Sequence, residues 1–232
     1  LQRPMAGKWY KMLPVETIRG CPYKCTYCNS PDQVDLYKRE TDTSFFRKKK
    51  ISLVYNELKY FKEKHQVEYN YFWADTFLSW NSEEFDEFCE MYSEIGLPFW
   101  IQTRPETLTD YKVKRLSEVG LHRISFGIEH GNPKYRLNML KRRVTNEVML
   151  NSFRFCSDKN YTTTGNCIIG MPQENRELVF DTIEFCRQLP EGVENTGAFI
   201  LNRSHKMAPF LVFFNWKKAT IIITIPATRN PE

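Results

Sequence analysis

The sequence predicts an α/β chain folded as a partial (β/α)6 TIM-like barrel with parallel strands. Three observations carry that expectation. Strand-like and helix-like apolar periodicities alternate along residues 15–201. The connections between them are short enough for right-handed crossovers. The unusual residue clusters each follow an expected strand, at the end where parallel α/β barrels keep their active sites. Six strand–helix units rather than eight point to an open barrel.

Residues 1–14, with Pro4, Gly7 and Pro14 among Trp9, Tyr10 and Met12, read as an irregular lead-in. Val15 to Ile18 reads as the first strand. Residues 29–46 are polar, contain Pro31 and read as a long connection over the site. Ile51, Val54, Tyr55, Leu58 and Phe61 then recur at helical spacing. Asn70 to Trp73 is a buried second strand, ending at Ala74-Asp75-Thr76-Phe77. Ser82, with Glu84 and Phe85 behind it, opens a helix striped by Phe85, Phe88, Cys89, Tyr92 and Ile95. Gly96 ends it, and Phe99 to Thr103 is the third strand. Residues 109–119 form a helix stopped by Gly120, and Arg123 to Ile128 is the fourth strand.

Thr145 starts a helix through Cys156, and Thr162 to Ile169 is the fifth strand. A helix with Val179, Thr182, Ile183 and Cys186 on one face follows, and Gly197 to Leu201 is the sixth strand. No repeat or linker divides residues 15–201, which form one core domain. Periodicity fails in the tail, 202–232. There Phe210-Leu211-Val212-Phe213-Phe214 and Ile221-Ile222-Ile223 read either as strands completing the barrel or as non-native sequence from a truncated or frame-shifted gene.

The bulk numbers exclude several classes. The 232 residues are 41% hydrophobic and 26% charged, as in an ordinary soluble domain. A net charge of +5, from 33 basic and 28 acidic residues, is too mild to demand nucleic acid. The clusters Arg47-Lys48-Lys49-Lys50 and Lys141-Arg142-Arg143 read as solvated helix ends or loops, and RNA is not expected as a partner. Nothing at the N-terminus reads as a signal peptide, and no apolar run reaches membrane-spanning length. Cys89, Cys156, Cys167 and Cys186 lie scattered among apolar residues, which suits core packing in a reducing cytoplasm.

The chemistry concentrates in Arg19-Gly20-Cys21-Pro22-Tyr23-Lys24-Cys25-Thr26-Tyr27-Cys28, spaced C-x3-C-x2-C. This spacing lets one loop point three sulfurs at a common centre. A disulfide reading leaves one cysteine over. Three thiolates do not close a structural zinc site, although a remote cysteine would complete one. Iron–sulfur clusters normally take four cysteines, so three imply a cubane with one iron open to a substrate.

These residues resemble the radical S-adenosylmethionine (radical SAM) superfamily, whose signature is C-x3-C-x-aromatic-C, with Tyr27 as the aromatic. The resemblance covers roughly residues 12–190. It implies a [4Fe–4S] cluster on Cys21, Cys25 and Cys28, whose open iron chelates SAM and whose reduction cleaves SAM to methionine and a 5′-deoxyadenosyl radical. An electron donor such as flavodoxin or ferredoxin is implied, as is a small-molecule or otherwise unknown substrate.

Further segments are similar to the family's strand ends. Phe72-Trp73-Ala74-Asp75-Thr76-Phe77 resembles the strand-two segment, with Ala74 in place of its first acid; Asp75 would then meet the SAM ammonium, or else cap a turn. Thr103-Arg104-Pro105-Glu106-Thr107-Leu108 resembles strand three of the cobalamin-linked branch, and Arg104 reads as a partner of the SAM carboxylate or of the substrate, or as half of a salt bridge. Gly127-Ile128-Glu129-His130-Gly131 resembles the strand-four end, with His130 replacing a serine. Glu129 is the candidate for the ribose hydroxyls, and His130 reads as acid–base or structural.

Gly165-Asn166-Cys167-Ile168-Ile169-Gly170 is similar to the glycine-x-isoleucine-x-glycine motif, implying that Gly165, Ile169 and Gly170 pack against the adenine. The implied activity is that of a radical SAM enzyme, with a methyltransferase-type reaction using cobalamin on a domain absent from this chain. An RNA-modifying methylthiotransferase relative and a non-catalytic iron–sulfur or zinc module are the alternatives. The chain opens at Leu1 with a lead-in resembling the joint to a cobalamin-binding domain, and is expected to be part of a longer functional unit.

Overall fold

The computed structural model describes residues 2–191, 193–200, 210–215 and 220–223. A hairpin stands where an irregular lead-in was expected. β1 (Gln2–Met5) and β2 (Lys8–Val15) pair antiparallel, with Met5 opposite Lys8 across the turn Ala6-Gly7. Both turn residues have positive φ, 49° and 77°, as in the primed turns whose twist suits a hairpin. The first parallel strand is therefore β2, and Ile18–Arg19 is a separate short strand, β3. Pro14 obscured this. Among the described residues β1 pairs as far as Lys11, and beyond that point β2 has a described strand on one side alone, where a proline is tolerated.

The chain continues as α1 (Ser30–Glu40), β4 (Arg47–Lys48), α2 (Ile51–His65), β5 (Tyr69–Phe72), α3 (Ser82–Ile95), β6 (Phe99–Thr103), α4 (Asp110–Glu118) and β7 (Leu121–Glu129). Then come α5 (Pro133–Asn138), α6 (Asn146–Asp158), β8 (Thr162–Ile169), α7 (Arg176–Arg187), β9 (Val193–Ile200), β10 (Phe210–Asn215) and β11 (Thr220–Ile223). Helix α1 corrects the expected long connection. Its Pro31 sits in the first turn, where a missing N–H leaves no hydrogen bond unmade.

Two compact units form. The first comprises the described residues to Ser125 with Leu140–Arg142, and the second Phe126–Met139 with the described residues from Arg143 onward; β7 runs through both. The sheet order in the first is β1-β2-β5-β6-β7, with β2/β5 and β5/β6 parallel. In the second it is β7-β8-β9-β10-β11, with β8/β9 parallel. The strands β2, β5, β6, β7, β8 and β9 with their intervening helices realise the expected partial (β/α)6 topology. The apolar runs of the tail are strands, but β10 joins β9 antiparallel and β11 joins β10 antiparallel. The rest of 202–232 lies outside the described residues.

The core of the first unit is aromatic. Phe72 meets Phe77, Phe88, Tyr92 and Phe99 at centroid distances of 5.2 to 5.5 Å. Phe72 and Phe88 are fully buried, and each such side chain contributes about 1.5–3 kcal/mol. Two polar groups are carried inside with partners: Asn70 Nδ2 donates to Tyr92 Oη at 2.8 Å, and Tyr92 Oη donates to the Leu97 carbonyl at 3.0 Å. Helix α3 begins with a complete capping box between Asn81 and Glu84 and ends on Gly96. In the second unit Phe126 packs on Phe153, and Cys167 on Cys186. Among the described residues no helix is long and apolar enough to cross a membrane.

Candidate active site

The cysteine loop follows β2 through the short ribbon of β3 and β4, in which Ile18 pairs with Lys48. Gly20 has φ of +80°, and a Cβ there would lie 2.9 Å from Phe45 and 3.1 Å from the Phe46 backbone, so only glycine turns the chain here. The loop then closes on itself. Cys21 N–H donates to Ser30 Oγ at 3.0 Å, and Cys28 N–H donates to the Cys25 carbonyl at 3.2 Å. Thr26 N–H donates to the Leu140 carbonyl at 3.3 Å, tying the loop to the Leu140–Arg142 segment.

Each sulfur has a polar neighbour. Cys21 Sγ lies 3.3 Å from Thr76 Oγ1, Arg104 Nη1 donates to Cys25 Sγ at 3.2 Å, and Ser30 N–H donates to Cys28 Sγ at 3.4 Å. Burial pushes the Cys21 and Cys28 thiols above their ordinary range; at Cys21 the Thr76 contact pulls the other way. The Asp75 charge adds to the rise at both.

Asp75 follows β5 directly. The residue is exposed as a whole, yet protein crowded around its carboxyl raises its pKa, with the Gly20 N–H opposing. Asp75 and the cysteine loop are thus brought together. Arg104 follows β6, with only 8% of its surface exposed. Its Nε donates to Glu106 Oε1 at 2.7 Å, and its guanidinium carbon sits 3.8 Å from the Tyr23 ring centroid. Glu106 is held by a 3-10 turn over Pro105–Thr107. Arg142 Nη2 lies 3.8 Å from Glu106 Oε2, and Arg142 Nη1 donates to Tyr27 Oη at 3.2 Å.

The sequence reading included Glu106 in the strand-three segment without a role for it, and misplaced Arg142. The cluster Lys141-Arg142-Arg143 is not wholly solvated: Lys141 and Arg143 are exposed, but Arg142 is 2% exposed. Its guanidinium is drawn inside by the Glu106 carboxylate and the Tyr27 hydroxyl.

In the second unit Glu129 ends β7 with φ of +66°, a left-handed conformation uncommon for a side chain of this kind and typical of functional strand ends. His130 is fully buried and stacked on Tyr135 at 4.3 Å. Its Nδ1 accepts from Asn132 N–H at 3.0 Å, which leaves the neutral ring's proton on Nε2, 3.2 Å from Glu174 Oε1. Glu174 Oε2 in turn accepts from the N–H groups of Gly170 and Met171. His130 is enclosed as a structural side chain. Gly170 is exposed at the end of β8 and Ile169 is half-buried. Gly165 is buried instead, where a Cβ would meet Ile128 at 2.6 Å and Phe153 at 3.3 Å.

A three-cysteine loop thus follows the first parallel strand of a partial (β/α)6 barrel. The chain belongs to the radical SAM superfamily, a model of which matches residues 15–186. It carries a radical SAM domain, and the family implies a [4Fe–4S] cluster and SAM. An uncharacterised methyltransferase of Pyrococcus horikoshii is 27% identical over 176 residues, 75% of this chain and 36% of that protein. The anaerobic magnesium-protoporphyrin IX monomethyl ester cyclase of Rubrivivax gelatinosus is 27% identical over 185 residues, 78% of this chain and 31% of that protein. The chain thus spans about a third of the length of these curated relatives.

Among solved structures, the radical SAM methyltransferase TsrM from Kitasatospora setae, with cobalamin and a [4Fe–4S] cluster bound, superposes with a TM-score of 0.64. It is 16% identical and covers 77% of this chain and 33% of its own. The cobalamin-dependent radical SAM enzyme OxsB gives a TM-score of 0.58 at 18% identity, covering 75% and 26%. These likenesses show the fold.

Proposed function

We propose that Cys21, Cys25 and Cys28 hold a [4Fe–4S] cluster that leaves one iron for SAM. One observation carries this: three thiols on a single closed loop, each sulfur with a hydrogen-bonding neighbour, Thr76, Arg104 or Ser30. Donors such as Arg104 Nη1 and the Ser30 N–H orient thiolates and stabilise their charge, so two of the three sulfurs have the surroundings a cluster needs, while the Thr76 hydroxyl donates to the Asp75 carbonyl. Among the described residues, no group of three or more His, Cys, Asp or Glu side chains is arranged to hold a single metal ion. The cluster and SAM together supply a 5′-deoxyadenosyl radical when an outside donor, of flavodoxin or ferredoxin type, delivers an electron.

The residues around them do the holding. Asp75, beside the loop, accepts from the SAM ammonium, and Tyr27 shields the cluster side. Glu129 takes the ribose hydroxyls, and Ile169 with Gly170 presents an apolar strand end to the adenine. Gly165 serves by packing β8 onto Ile128 and Phe153. Arg104, committed to Glu106 and Cys25, belongs with the cluster loop.

The catalytic core starts with β2 (Lys8–Val15), earlier than residue 15, and runs through β9 (Val193–Ile200). The methyltransferase names among relatives and the cobalamin in the solved neighbours support a methyl-transfer-type reaction, with cobalamin on a domain outside these residues. Seven thiols without a disulfide, including the adjacent Cys167 and Cys186 sulfurs at 3.5 Å, support a reducing cytoplasm. The test replaces each loop cysteine with Ala, reconstitutes anaerobically, and counts iron, sulfide and SAM cleavage. Each variant should lose the full cluster; full clusters in all three, or stoichiometric zinc in the parent chain, would sink the reading.

A further inference from the structure

Arg104 is an odd residue to bury beside a metal-binding thiol. Its guanidinium donates to Cys25 Sγ, pairs with Glu106 through Nε and Nη2, and stacks over Tyr23. Cys25 itself is only 6% exposed, so the contact is poorly screened. Arg142, 2% exposed, stands on the far oxygen of Glu106 and reaches Tyr27, the residue next to Cys28. Two guanidinium groups therefore flank one carboxylate, and the trio carries a net single positive charge close to the loop. All of these residues lie in the first unit.

We propose that Arg104 is a positioning residue that sets the reduction potential of the cluster through its hydrogen bond to Cys25, with Glu106 and Arg142 fixing its place and its effective charge. This rests on the cluster assignment made above. A one-electron reduction, with the electron taken from the external donor, places more negative charge on the sulfurs. A cationic donor on one sulfur favours that state, and hydrogen bonds to cluster sulfurs are a recognised means by which proteins tune potential. Glu106 works in the opposite sense by partly neutralising the same guanidinium. The two residues should therefore shift the potential in opposite directions, which a purely structural clamp would not do.

The test uses the full chain reconstituted anaerobically with iron and sulfide, and reads the cluster's midpoint potential in an EPR-monitored reductive titration. Arg104→Gln should lower the midpoint, Arg104→Lys should fall between it and the parent, and Glu106→Gln should raise it. Glu106→Gln keeps an oxygen for the Arg104 fork, so it reports the charge effect even where Arg104→Gln loads poorly. A parent chain that takes up no [4Fe–4S] cluster overturns the cluster assignment itself. A loaded parent whose variants keep its midpoint, or shift it in one common direction, overturns the role of Arg104 alone. So does loss of the cluster in both Gln variants.

Discussion

Glu174 Oε1 lies 3.2 Å from His130 Nε2, with both side chains closed to solvent, and the same carboxylate accepts the Gly170 and Met171 N–H groups. One buried acid thus joins the end of β7 to the end of β8. Removing it takes the carboxylate from beside the imidazole and leaves the Gly170 and Met171 N–H groups without their acceptor. Leaving a buried donor without its acceptor costs about 1–3 kcal/mol. Glu174→Ala should fall in that range in the denaturant midpoint. Glu174→Gln, which keeps an acceptor for the backbone, should cost clearly less.

Gly131 and Gly165, both in the second unit, should rank unequally. A Cβ on Gly131 would lie 2.2 Å from the Asp181 carbonyl oxygen and 2.5 Å from Thr182 Cα, both backbone atoms of α7. On Gly165 the nearest atom is the tip of Ile128, which can turn aside. Gly131→Ala should therefore reach or exceed the upper end of the ~1–3 kcal/mol cost of overpacking, and Gly165→Ala the lower end. Thermal unfolding of the two variants side by side measures the order.

Helix α3 supplies a pH-dependent term. Burial by itself would raise the Glu84 pKa, but the Lys48 ammonium and the Asn81 N–H outweigh it and hold the carboxyl below its ordinary range. A depressed carboxylate adds stability that is present above its unfolded pKa and lost as pH falls through the folded one. The stability gap between the parent and Glu84→Gln should therefore shrink on acidification below the ordinary glutamate range. Asn81→Ala removes the cap itself and should cost about 1 kcal/mol at neutral pH.

Asp75→Asn and Glu129→Gln should keep the cluster's absorption while weakening SAM binding. Each lost charge-assisted hydrogen bond should cost on the order of 1.5–3 kcal/mol. Equilibrium binding of SAM to the anaerobically reconstituted chain checks this, and unchanged affinity in both variants would remove them from the site.

Much of the fold was written locally. The C-x3-C-x2-C spacing, the start of α3 and the alternating apolar periods are properties of contiguous residues, although the residue that caps α3 is Asn81, one before the Ser82 read from the sequence. β6 and β8 lie where the sequence places them, because a buried strand bounded by glycine or polar residues needs no distant partner to be visible. The first strand was misread because Pro14 resembles a strand breaker until it is known that, among the described residues, β1 leaves its side of β2 unpaired there.

Side-chain partnership was decided only by the tertiary structure. Arg104, Glu106 and Arg142 are separated in the chain, and nothing in Lys141-Arg142-Arg143 marks which guanidinium turns inward. His130 looks like a candidate acid–base residue until Asn132, Tyr135 and Glu174 are seen to enclose it. The sequence by itself determined which chemistry the chain carries, since three thiols within one turn of loop can meet at one centre without help. The tertiary structure determined which charges act on those thiols, because a buried charge is held by whatever packing brings against it, and packing is a property of the whole fold.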